Sequence, residues 1–464
     1  MKKISLILLI VAFAGSLTAQ EVKGTLNKET VKRLRASFEK TPENIALMNA
    51  VTHNDIKKLA DNRANDGKVS HYFTNTVETK AITNQKSSGR CWLYTGLNTI
   101  RPLVQDKYNI EEFEFSQTYS FFWDQLEKAN LFMEIALSTA HLPMDDRKVT
   151  WLFKNPIGDG GQWTTFADIV KKYGLVPKQA MPDSYQSEKT AMMRRMISRK
   201  LREDGLRLRA LAFSRMAEEK KQEVKFQMLE EIYRILVLTL GEPPETFVWQ
   251  YETKDGDLST PKTYTPKEFY KELIGIDLDE YVMFMNDPTR DFNKLYEVEF
   301  DRNLVEGANW KYINLPNDKI KEFAKKSLLD NRAMYFSCDV GKQMDKDYGT
   351  LDVNNYDYSS LFGVPFSMSK KERMLTFESG STHGMSLAGV NILPNGTIDK
   401  WLLENSWGKK TGHEGYLTMT DQWFDEYMFR LIIHKKYIDE DVLKILEQEA
   451  VLLPPWDPVF APEQ

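Results

Sequence analysis

Residues far apart in the chain have the types and local settings that nucleophilic acyl transfer needs. Cys91 follows a polar turn at 83–89 and opens a helix-spaced apolar run of Trp92, Leu93, Leu97, Ile100 and Leu103. A thiol at a helix N-terminus feels the positive end of the dipole, which together with an imidazolium favours the thiolate. Residues 385–392 and 401–404 read as strands on either side of Pro394-Asn395-Gly396, a strong turn signal. His383 stands just before the first strand and Asn405 just after the second, so a hairpin sets them side by side at its open end. There the imidazole takes the thiol proton while the amide oxygen accepts the other ring N–H and holds the ring. Gln85, six residues before Cys91, can add a side-chain amide to the Cys91 N–H as a donor to a developing oxyanion.

The elements that must position these residues lie in a chain of 464 residues, 42% hydrophobic and 28% charged, with a formal net charge of −5. That composition is ordinary for a soluble globular enzyme and excludes disordered and fibrous classes. The length holds two or three domains, or one catalytic fold with a large insertion. Cys91 and Cys338 are the only cysteines, so a disulfide framework is excluded, and Cys338, inside the apolar run 334–340, reads as a core residue in a buried strand. Helices are expected over 163–173, after the loop Asp159-Gly160-Gly161, and through 187–240, ended by Gly241-Glu242-Pro243-Pro244. The end of the chain, 452–458, is too proline-rich for helix or strand and reads as an extended tail.

Several function classes lose ground on composition. The remaining histidines, His53, His71, His141, His413 and His434, lack ligand spacing, so neither a metal nor another cofactor is expected. The acid excess gives no general attraction to phosphate backbones. The basic stretch 193–215, with Arg194, Arg195, Arg199 and Arg202, lies in a helical pattern and is followed by Glu218-Glu219, so it reads as a solvated helix face rather than a nucleic-acid site. Residues 1–19 carry Lys2 and Lys3, an apolar stretch at 4–15 and the small-residue end Ser16-Leu17-Thr18-Ala19, the pattern of a cleavable secretory signal. The apolar run is shorter than the roughly 20 residues a bilayer needs, and no cysteine follows it for lipid attachment. The expectation is a secreted or periplasmic protein without a stable membrane anchor after cleavage.

The run Asn84-Gln85-Lys86-Ser87-Ser88-Gly89-Arg90-Cys91-Trp92, the pair Thr382-His383 and the run Glu404-Asn405-Ser406-Trp407-Gly408 resemble papain-like cysteine peptidases. With Asp159-Gly160-Gly161-Gln162-Trp163, Lys172-Tyr173-Gly174-Leu175-Val176-Pro177, Cys338-Asp339-Val340-Gly341-Lys342, Gly415-Tyr416-Leu417 and Trp456-Asp457-Pro458, the chain more closely resembles the bleomycin hydrolase and bacterial aminopeptidase C branch. The resemblance implies an α+β papain-like fold: a helical half, a β-rich half, a large mainly helical insertion and a C-terminal arm in the cleft. It implies Cys91 as nucleophile, His383 as general base and acid, Asn405 as the residue orienting the imidazole and Gln85 as oxyanion donor. Trp407 would shield the His–Asn bond from water, Gly160 and Gly161 would form a cleft edge for substrate backbone, and the carboxylate of the terminal residue, Gln464, would bind a substrate's α-ammonium. It further implies a homohexamer with internal active sites, acting on peptides as an aminopeptidase through a thioester.

On this basis residues 20–186 hold the N-terminal region and nucleophile half, 187–330 the insertion that builds the oligomer, 331–450 the β-rich half and 451–464 the arm. Cys91 and His383 are 292 positions apart, against roughly 130–150 in ordinary papain-type enzymes, and the insertion takes up the excess. Two features depart from the branch. Its members are cytosolic, and the ending Val459-Phe460-Ala461-Pro462-Glu463-Gln464 differs from the usual Met-Gly-Ala-Leu-Ala. An arm that left the cleft open would make the protein an endopeptidase or dipeptidyl peptidase instead. A catalytically silent oligomeric scaffold is the third reading, and the intact Cys91, His383, Asn405 and Gln85 argue against it.

Overall fold

The spacing of Trp92, Leu93, Leu97 and Ile100 produces the expected helix. In the structure, a computed structural model that describes residues 24–457 apart from Lys80, it runs Cys91–Tyr108 and buries all four side chains. The expected signal segment and Gln464 lie outside the described residues. Helix Gln117–Ser138 follows, then Trp163–Tyr173 at the expected bounds, closed by Gly174 in the left-handed region at φ +78°. The long helical stretch is two helices, Ala191–Ala212 and Glu218–Leu240, which pack on each other and on Gln117–Ser138. Gly241, at φ +90°, ends the second, where a left-handed residue suits glycine.

Among the described residues the β-rich part is one twelve-stranded sheet. Its centre is antiparallel: Met428–His434 beside Met334–Cys338, then His383–Ile392, Ile398–Glu404 and Tyr416–Thr420. The hairpin turns at Asn395-Gly396, with Gly396 at φ +86° and its N–H bonded to the Leu393 carbonyl at 2.8 Å. Its register pairs Ser386 with Glu404, so Asn405 lies diagonally across from His383, about two residues off direct opposition.

Two apolar clusters flank the site. One gathers Trp92, Leu97, Phe166, Ile197 and Ile232 with Tyr335 of the sheet; the other gathers Phe336, Met385, Leu387, Trp401 and Phe424. Tyr335 and Phe336 go to different clusters because successive strand side chains point to opposite faces. Cys338 is fully buried in the second cluster.

Two expectations change in detail. Strands Tyr281–Met285, Lys294–Val298 and Lys311–Asn314, inside the region read as insertion, join the main sheet through Met428–His434. The tail is not wholly extended coil: Val451–Leu453 pairs in parallel with Lys294–Val298, satisfying its backbone groups until Pro454 and Pro455 follow and end the ladder. Among the described residues, 24–60 form a unit separate from 61–457; within it, helices Lys28–Ser37 and Pro42–His53 bury none of their side chains.

Candidate active site

The helix that begins at Cys91 runs along the strand that begins at His383. A Cβ added to Gly384 would stand 2.9 Å from the Thr95 hydroxyl, and Thr99 Oγ1 lies 3.5 Å from Ser386 Oγ. Residues 91, 95 and 99 share a helix face at one-turn spacing. The face that touches Gly384 and Ser386 therefore brings Cys91 towards His383, and both line one cleft of about 570 Å³. A buried ion pair locks this alignment: Arg101 Nη2 meets Glu404 Oε1 at 2.7 Å, with side-chain exposures of 1% and 0%.

His383 Nε2 lies 2.8 Å from Asn405 Oδ1. That oxygen also accepts the Ser406 backbone N–H at 2.8 Å, and a backbone N–H only donates, so the amide's orientation is fixed. Nε2 then carries the ring proton and Nδ1 keeps the lone pair. Trp407 stacks on the imidazole with centroids 4.6 Å apart and planes 28° from parallel, so an indole covers the ring. Burial pushes the His383 pKa down to about 4, against the Asn405 bond, which raises it. An imidazolium is thus costly here unless a thiolate stands beside it as counter-charge.

Gln85 is held from both ends. Its backbone N–H donates to the Ser406 carbonyl at 2.8 Å, its Oε1 accepts from Ser406 Oγ at 2.7 Å, and its Nε2 donates to the Ser88 carbonyl at 2.8 Å. One amide hydrogen of Nε2 remains beyond the Ser88 bond. Ser406 is a positioning residue that sequence reading passed over, although it sits in the quoted run beside Asn405.

Gly160 and Gly161 both line the cleft, for different reasons. A Cβ on Gly161 would meet Thr165 and the Trp92 ring at 2.7 Å, whereas one on Gly160 would meet nothing within 4 Å. Asp159 binds this loop to the Cys91 helix. Its carbonyl accepts Trp92 Nε1 at 2.7 Å, and its carboxylate accepts the Gly89 N–H at 3.4 Å and the Thr190 hydroxyl. Asp159 stands in the motif Asp159-Gly160-Gly161, and nothing in its spacing marks this bracing role. Trp92 and Trp163 are core residues, 1% and 4% exposed.

Cys338 is the register partner of His383, and burial pushes its thiol pKa well up, with Asp339 and Cys91 adding to the rise. Neither cysteine is in a disulfide. Among the described residues no cluster of three or more His, Cys, Asp or Glu is arranged to hold a metal, and no helix is long and apolar enough to cross a membrane.

A thiol at a helix start facing a His–Asn pair across a cleft between helical and β-rich halves defines a papain-like cysteine peptidase. The chain belongs to the Peptidase C1-like family, whose model matches residues 25–460. It is 41% identical to the bleomycin hydrolase of Mus musculus over 447 residues, covering 94% of this chain and 98% of that one. It is 38% identical to the aminopeptidase C of Listeria monocytogenes over 438 residues, again covering 94% and 98%. Among solved structures, PepW from Lactobacillus rhamnosis matches with a TM-score of 0.92 at 37% identity, over 95% of this chain and all of that one.

These relatives overturn one expectation. A secreted or periplasmic placement was read from residues 1–19, but the chain aligns almost end to end with bleomycin hydrolase and aminopeptidase C, a cytosolic branch, and that placement is withdrawn.

Proposed function

We propose that this cysteine peptidase is an aminopeptidase that releases N-terminal residues from peptides through a thioester on Cys91. The observation that carries the reading is the 2.8 Å bond from His383 to Asn405, with Trp407 covering the ring, in the cleft that holds Cys91. His383 Nδ1 takes the thiol proton, and the sulfur attacks the carbonyl of the substrate's first residue. The resulting oxyanion accepts hydrogen bonds from the Cys91 backbone N–H and Gln85 Nε2. His383 then protonates the leaving amine, the thioester forms, and the same ring activates water to release the amino acid. Asn405 keeps the ring in plane through both proton transfers. Gly160 lies where substrate backbone passes, because its open side faces free space in the cleft.

The arm beyond Asp457 limits substrate on the acyl side to one residue in this proposal, with the carboxylate of Gln464 receiving the α-ammonium. The organisation proposed is a papain-like body carrying the paired helices Ala191–Ala212 and Glu218–Leu240 as an insertion, assembled as a homohexamer. Light scattering that reports fewer than six chains overturns the assembly. Hydrolysis of matched free and N-acetylated peptides tests the activity: rapid cleavage of the free series alone is expected, and equal cleavage of the blocked series overturns the aminopeptidase reading.

A further inference from the structure

Arg194 enters the cleft from the first turn of helix Ala191–Ala212, at the head of the basic stretch that sequence reading assigned to a solvated face. Met193 and Ile197 anchor that helix in the core, and the Thr190 hydroxyl bonds to Asp159, so the backbone beneath Arg194 is fixed at the cleft wall. Arg194 lines the cleft with Ser87, Gly89, Cys91 and Gly160.

The other ionisable side chains in the lining have partners of their own. Arg430 lies over the Trp310 ring at 4.4 Å and beside the Asp301 carboxylate, where it opposes the upward push of burial on that acid, as does a bond from Gln162. Asp159 is engaged by Gly89 and Thr190. Arg194 is exposed, and among the described residues no acid or hydrogen-bond acceptor meets its guanidinium.

We propose that Arg194 selects an acidic side chain on the substrate residue that supplies the acyl group, which on the aminopeptidase reading is the N-terminal residue. A carboxylate reaching along the Gly89–Gly160 wall pairs with the guanidinium through two parallel N–H bonds. A lysine or arginine side chain in the same place brings a like charge up to the guanidinium. The site is partly open to water, so the discrimination is modest, about five- to tenfold.

The test uses full-length protein and aminoacyl amides that differ only in the first residue, Glu, Gln or Lys, each with a free and an acetylated amine. Wild type is expected to favour Glu over Lys. Arg194→Ala lowers kcat/KM for Glu about five- to tenfold and changes Gln far less, Arg194→Lys restores most of the preference, and Arg194→Glu reverses the order. A Glu-to-Lys ratio that stays within twofold across the variants overturns the proposal. Failure of the aminopeptidase reading is seen separately, as equal cleavage of the acetylated series, on which the same ratio is still measured. If no substrate turns over, alkylation of Cys91 decides. The rate ratio of iodoacetate to iodoacetamide should fall in Arg194→Ala and further in Arg194→Glu, and unchanged ratios overturn the proposal.

Discussion

Asn405 Oδ1 accepts two hydrogen bonds at once, from His383 Nε2 and from the Ser406 N–H, so one amide fixes both the ring and the loop that holds Gln85. Asn405→Ala removes the acceptor and leaves the imidazole to turn against Trp407. The expected loss is roughly 10²-fold in kcat/KM, the scale of a small misplacement of a reacting group. Asn405→Asp keeps the acceptor and adds a negative charge, so activity should return in part while the acid limb of the pH–rate profile moves up. An Asn405→Ala enzyme with full activity would remove the ring-orienting role.

Burial of His383 also ties stability to pH. Its pKa is lowered to about 4 in the fold, below the 6.5 of an exposed histidine, so between those values the unfolded chain binds a proton that the folded chain refuses. The contribution is fully present above about pH 6.5 and is lost as pH falls towards 4, by at most about 3 kcal/mol. Urea unfolding of wild type and His383→Gln at pH 7, 5.5 and 4.5 should show wild type losing more stability on acidification. Parallel loss in both proteins would refute the linkage.

At the scale of elements, the two cleft glycines separate folding from binding. Gly161→Ala drives a methyl into the Trp92 ring, at 2.7 Å, where the helix start and the Asp159 loop are bonded together. Overpacking of this kind costs about 1–3 kcal/mol and should lower the melting temperature. Gly160→Ala meets no protein atom, so the melting temperature should hold while KM rises, because the methyl occupies space that substrate crosses. If the melting temperatures respond the other way round, the assignment of the two positions is wrong.

The Arg101–Glu404 pair makes a matching statement about how the halves are joined. Arg101→Met strands a buried carboxylate one residue before Asn405 and should cost about 3–5 kcal/mol, whereas the double variant with Glu404→Leu should recover much of it. Chemical denaturation of the single and double variants checks this; a harmless single variant would show that the pair does not clamp the halves.

The hairpin was legible because Asn-Gly marks its own turn and fixes register locally, and the Cys91 helix was legible from its apolar period. The Ser406–Gln85 and Thr190–Asp159 bonds were not. A hydroxyl's partner across 321 or 31 positions leaves no trace in local pattern. The edge strand Val451–Leu453 was hidden for a related reason, since its partner lies more than 150 residues earlier and the prolines beside it argue against any ladder.

For the whole molecule, the question is what converts a papain-like cleft, open by design to long peptides, into one that accepts a single acyl-side residue. The chain is pinned at residues 451–457. Val451–Leu453 is paired into the sheet, Trp456 lies under Arg147 at 4.6 Å, and Asp457 is salt-bridged to Arg290, which is in turn paired with Asp287. Among the described residues these contacts all precede Pro458, so deleting residues 458–464 removes the proposed gate and leaves this anchor in place. The truncated protein should keep most of the full chain's melting temperature, since the contacts of residues 451–457 stay in place. Its activity on N-acetylated peptides should rise at least tenfold, while that on free peptides falls as the carboxylate proposed to receive the α-ammonium is lost. Arg290→Ala, which leaves the arm in place but releases Asp457, should produce a smaller shift in the same direction. If truncation leaves the preference for a free amine intact, that preference resides in the cleft itself, and the arm's proposed part in the activity falls.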